Sequence, residues 1–169
     1  TAEITCGAGG ITTDGAVRVA HADQGTGDRG PVDVHRVNSL DDSTYGTEVT
    51  NNATGQAQAK IFGVCVSKKT TLGNEVTVGP LVSKTFGFGK GINSAELTCE
   101  AGTTPVSPGY EVSGSSAVLI ASTPTDGNGR KFTLDVSGDE AEVALSMRCR
   151  TTETSRGAQL QFAPISTAI

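Results

Sequence analysis

Ile4-Thr5-Cys6-Gly7-Ala8-Gly9 is written a second time, in altered form, as Leu97-Thr98-Cys99-Glu100-Ala101-Gly102, 93 residues further on. At the same offset Val17-Arg18-Val19 falls on Tyr110-Glu111-Val112, again apolar, charged, apolar. Further along the offset is 84: Cys65 falls on Cys149, and Ala57, Ala59, Ile61 and Gly63 fall on Ala141, Val143, Leu145 and Met147. Past the cysteine, Val76-Thr77-Val78-Gly79-Pro80-Leu81 falls on Leu160-Gln161-Phe162-Ala163-Pro164-Ile165, proline on proline. Self-similarity in three separate blocks is the mark of a duplication. The change in offset places an insertion in the first copy, at the glycine-rich stretch 23–31. The chain is thus expected to comprise a first repeat over residues 1–90 and a second over 91–169.

The repeat also helps to fix the local structure. Strands are expected near 2–6, 15–21, 33–38, 46–51, 57–66 and 74–82 in the first copy. In the second they are expected near 95–99, 109–113, 117–122, 131–136, 141–149 and 157–163. Turn-forming clusters such as Asp126-Gly127-Asn128-Gly129 and Ser137-Gly138-Asp139 separate them. The stretch Asp139–Met147 is rich in good helix formers. Yet Ala141, Val143, Leu145, Met147 and Cys149 alternate with Glu142, Ala144, Ser146 and Arg148, the period of a half-buried strand. Its counterpart ends in Ile61-Phe62-Gly63-Val64-Cys65-Val66, which reads as β, so both are expected to be strands.

Four cysteines without a Cys-x-x-Cys pair argue for disulfides rather than zinc or a redox motif. Of three possible connectivities the duplication selects Cys6 with Cys65 and Cys99 with Cys149. Domains of this size bury a limited core and often need such a staple. The fold class expected is all-β: two tandem small antiparallel β-sandwiches of immunoglobulin-like type, each with one internal disulfide.

Charged residues make up 18% and aromatics 4% of the chain, with 22 glycines and a net charge of −5. Residues 1–90 carry 8 basic and 9 acidic groups, residues 91–169 carry 5 and 9. Neither half offers a basic surface for phosphates, so no nucleic-acid partner is expected. No apolar run approaches the length of a membrane helix, so no membrane span is expected. A start at Thr1, together with an even cysteine count, points to an exported chain whose leader has been removed.

The catalytic search is nearly empty. His21 and His35 are the only histidines, no Gly-x-Ser-x-Gly is present, and the pair lacks further zinc ligands. Asp126-Gly127-Asn128-Gly129 fails the calcium-loop pattern, because Pro124 stands where the first carboxylate is required. No catalytic residue, metal site or cofactor is therefore expected. Surface chemistry is more informative. If Cys65 points inward, Phe62, Val64 and Val66 point outward, whereas their counterparts Ser146, Arg148 and Arg150 are polar and are expected to face water. A linker, Thr85–Ile92, displays Phe86 and Phe88. Phe62, Val64, Phe86 and Phe88, with Leu160, Phe162 and Ile165, are the candidate assembly contacts.

The leading expectation is a non-enzymatic subunit of an extracellular, cell-surface assembly, a homopolymer such as a pilus-like filament, sheath or surface layer. The alternative is a secreted binding or inhibitor module, using the loop with Asp23, Asp28 and Arg29 and the turn 125–130. A virion decoration protein is the third reading.

Overall fold

A computed structural model describes residues 1–21, 32–52, 54–114, 117–125 and 127–159. The described chain is all β, with nine strands: β1 (Ala2–Thr5), β2 (Gly10–His21), β3 (Val32–Ser39), β4 (Thr44–Asn51), β5 (Ala57–Ser67), β6 (Val78–Thr98), β7 (Thr103–Gly114), β8 (Ala117–Pro124) and β9 (Gly129–Thr151). Every pairing is antiparallel. Seven strands form one sheet in the order β1-β4-β3-β7-β9-β6, with β8 also on β9, and β2-β5 forms a separate pair. Disulfides join Cys6 to Cys65 and Cys99 to Cys149. Loops of 59 and 50 residues are closed by them, worth about 4 kcal/mol each in the chain-entropy account.

The duplication extends to the strand register. Val17 opposes Ile61 as Tyr110 opposes Leu145, and Val19 opposes Ala59 as Val112 opposes Val143. Gly10 opposite Ser67 repeats as Thr103 opposite Thr151. The turns beyond these hairpins also repeat. The Thr70 amide donates to the Asn74 carbonyl, and the Thr154 amide donates to that of Ala158. Gly73 and Gly157 both occupy the left-handed region, at φ 76° and 74°, where glycine avoids a Cβ clash.

Two expectations are corrected. The strands expected at 74–82 and 95–99 are one continuous strand, β6, which crosses position 90 without a break. Phe86 and Phe88 within the supposed linker stack on one another at 5.8 Å and pack on the core, so the segment has a face to bury and an edge of β9 to pair with. Likewise the strands expected at 131–136 and 141–149 merge into β9. The turn residues Ser137-Gly138-Asp139 are absorbed in a bulge, where the ladder steps from Gly89–Glu140 to Gly91–Val136. The helix-prone stretch Asp139–Met147 is strand throughout, as its alternation indicates.

β9 carries the centre of the core. Phe132, Leu134, Val143, Leu145 and Met147 are all fully buried, each such side chain contributing about 1.5–3 kcal/mol of apolar burial. The two copies are also locked to each other. Thr12 and Ser107 are buried and joined through their hydroxyls at 3.2 Å, and the Ser107 hydroxyl donates to the Thr12 carbonyl. That contact holds Ser107 at φ 51°, an unusual backbone for a residue with a side chain. The Tyr45 hydroxyl donates to the Pro108 carbonyl. Where β3 meets β7, a Cβ on Gly109 would lie 2.6 Å from the Asn38 backbone, so only glycine permits the crossing.

Candidate functional site

The informative surface lies on β5 and is best seen against its counterpart, the stretch Ala141–Thr151 of β9. Both strands use one edge for the hairpin partner, β2 or β7. The other edge of β9 is filled by β6 from Val78 to Gly89. Among the described residues, no strand pairs with the other edge of β5. An unfilled edge presents unpaired N–H and C=O groups to any strand that can reach it.

Side-chain chemistry across these two strands runs opposite to exposure. Phe62 and Val64 are 50% and 53% exposed, while their counterparts Ser146 and Arg148 are 3% and 9% exposed. The expectation that Ser146, Arg148 and Arg150 face water is therefore corrected. The outward face of β9 is covered by the β3–β4 corner of the first copy, and Arg148 is the clasp. Its Nε donates to Ser39 Oγ at 2.7 Å, Nη1 to the Gly79 carbonyl at 3.2 Å and Nη2 to the Leu40 carbonyl at 3.3 Å. Arg150 is 1% exposed, and burial draws its pKa down to about 10.

The corner that receives Arg148 is itself well braced. Asp41 Oδ1 accepts from the amides of Ser43 and Thr44, both at 2.7 Å, and from Ser43 Oγ at 2.9 Å. Hydrogen bonding from Ser43 holds the Asp41 carboxyl below its usual value. Ser39 Oγ, besides accepting from Arg148, donates to the Asp41 carbonyl.

A cavity of about 390 Å³ opens nearby, lined in part by Asp14, Tyr45, Phe62, Tyr110, Ile120 and Arg130. Arg130 is 9% exposed, donates to Ser122 Oγ at 2.7 Å and lies 4.0 Å from Asp14. Burial lowers the Arg130 pKa, with Asp14 opposing the shift. Burial raises Tyr45, and raises Tyr110 to about 12, so both phenols stay protonated at neutral pH. Among the described residues no group of three or more His, Cys, Asp or Glu is placed to hold a metal ion. His35 Nε2 lies 3.0 Å from Thr50 Oγ1.

The remaining candidates divide. Phe88 is buried in the core and Phe86 is packed against it, with Lys84 Nζ 5.2 Å above its ring. Both rings are thus used inside the chain, Phe88 within the core and Phe86 against it. The Cys65 residue is exposed although its partner Cys6 is buried, so the inward placement read from alternation holds for Gly63, which faces Ile4, and not for Cys65. On either side of Asp126, which lies outside the described residues, Thr125 donates to Glu96 at 2.6 Å and Asn128 donates to the Cys99 carbonyl. Asp23, Asp28, Arg29, Leu160, Phe162 and Ile165 lie outside the described residues. The buried arginines were the part sequence reading missed. The available signal was their place on a strand whose counterpart positions are apolar.

Comparison with family models, with curated proteins and with solved structures returns no match.

Proposed function

We propose that this protein is a non-enzymatic structural subunit of an extracellular assembly, a filament, sheath or surface layer built by head-to-tail contact between β-sandwich repeats. The observation that carries the reading is the inverted polarity of one strand position: Phe62 and Val64 exposed, Ser146 and Arg148 buried. A monomer designed for water would distribute these residues the other way round. Exposed apolar side chains beside an unfilled strand edge mark a surface that another chain covers.

In this reading residues 1–90 and 91–169 are two immunoglobulin-like units, joined by a strand of the first that completes the second. Contact between unlike ends of identical chains is heterologous, and it grows into open filaments unless the rotation closes a ring. Two disulfides are compatible with an extracellular location, as is the lack, among the described residues, of a helix long and apolar enough to cross a membrane.

Sedimentation and electron microscopy of the oxidised protein over a wide concentration range test this. Elongated multimers that grow with concentration are expected, and the double change Phe62→Asp with Val64→Asp should abolish them. A strictly monomeric species at every concentration contradicts the reading.

A further inference from the structure

The strand that completes the second copy belongs by sequence to the first. After the turn Thr70–Asn74 the chain does not fold back onto β5. It runs on as β6 along β9, pairing Val78 with Arg150, Leu81 with Arg148, Val82 with Met147, Ser83 with Ser146 and Lys84 with Leu145. Gly79 and Pro80 occupy a bulge in this ladder, where the missing proline N–H is tolerated.

The same segment is written again 84 residues later as Phe162-Ala163-Pro164-Ile165-Ser166-Thr167. It follows the turn Thr154–Ala158, which copies the hydrogen bonds of Thr70–Asn74 and closes with the bridge Glu153–Gln159 as the other closes with Lys69–Glu75. The corresponding acceptor edge, that of β5, carries no strand among the described residues. Among the described residues there are thus one filled acceptor edge and one that carries no strand, and the sequence holds a second copy of the donor segment.

We infer that residues 162–169 of a second copy of this chain add to β5 as an antiparallel strand, in the register that β6 uses on β9. Transferring that register places Phe162 opposite Val66, Ile165 opposite Val64, Ser166 opposite Gly63 and Thr167 opposite Phe62. Main-chain hydrogen bonds supply the attraction, and alternate side chains set the register. Where Leu81 meets Arg148 inside the chain, Ile165 meets Val64 between chains, an apolar pair in place of a mixed one. The donor goes to another copy because the equivalent turn at Thr70–Asn74 sends its own strand onward and, among the described residues, leaves the far edge of the strand before it without a partner. The opposite side of the hairpin is not part of this contact: Gly109, which alone permits β3 to cross β7, corresponds to Ala16 in the first copy.

This inference rests on the assembly reading and names its contact, so the test separates the two. Val64→Cys and Ile165→Cys are introduced together into the full chain, whose four native cysteines are the two disulfides. Directly opposite residues on antiparallel strands are about 4.5–5.5 Å apart at Cα, within reach of a disulfide. On mild oxidation a ladder of covalent multimers is expected on a non-reducing gel, and neither single variant should give one. In parallel, Val64→Glu and Ile165→Lys should each raise the concentration for half-assembly about tenfold or more, and together should recover most of that loss.

Assembly that persists without a ladder, and that is indifferent to Ile165→Lys, overturns the strand contact and leaves the assembly reading standing. A disulfide formed within a single chain overturns the second copy as the occupant. No assembly of the parent protein at any concentration overturns both.

Discussion

β5 and the stretch Ala141–Thr151 of β9 occupy equivalent places in the internal repeat. They share register with their hairpin partners and a disulfide near the same end, and they differ in coverage. β9 has β7 on one edge, β6 on the other and the β3–β4 corner over its face, and most of its side chains there are buried. Among the described residues β5 pairs with β2 alone, and several of its side chains are exposed. The difference shows that burial of a strand is set by its neighbours and not by its own composition. The polar member of the pair is the buried one.

The comparison breaks most severely at the disulfides. Replacing Cys99 and Cys149 by Ala, or Cys6 and Cys65 by Ala, should each cost about 4 kcal/mol, read as a shift in denaturation midpoint. Under mild reductant the Cys6–Cys65 bond should open first, seen by mass mapping, because Cys65 is exposed and Cys149 is only half-exposed.

Next comes the clasp. Arg148→Leu leaves the carbonyls of Leu40 and Gly79 without their donor and should cost about 3 kcal/mol. The counterpart change Val64→Asp should alter the stability of the dispersed monomer by no more than about 0.5 kcal/mol, since Val64 is exposed there. Similar effects of the two changes would remove the contrast. Gly109→Ala should cost about 2 kcal/mol by pushing β3 from β7, measured by thermal unfolding.

Much of this contrast was visible in the sequence, and the part that was not has a physical cause. The two offsets, the strand nature of Asp139–Met147 and the outward position of Phe62 and Val64 all follow from local period and self-comparison. The fate of Arg148 does not, because a strand's pattern says which side chains share a face but not whether something covers that face. Phe86 and Phe88 misled for the related reason that glycine-flanked aromatics resemble a linker until a neighbouring edge is known. Ser137-Gly138-Asp139 has turn chemistry, and a bulge in a long strand satisfies it as well as a hairpin does.

The smallest expected effect concerns pH at the corner that receives Arg148. Asp41 has a depressed pKa in the folded protein, so it adds stability above the unfolded carboxylate value near 4 and loses it as pH falls through the folded value. Asp41 is exposed, which limits the gain to about 1 kcal/mol or less. Asp41→Ala should flatten this part of the acid-stability profile and leave the profile above pH 5 parallel to that of the parent.

Amide hydrogen exchange resolved by residue tests the central claim most directly. In dispersed monomer, the amides of Ser146–Arg150 should be strongly protected, while the β5 amides that face the unfilled edge between Lys60 and Val66 exchange quickly. On assembly, those β5 amides and the amides within residues 162–169 that face β5 should become protected together, with no change in β9. Equal protection of β5 and β9 in the monomer, or assembly that leaves β5 as open as before, would contradict the account.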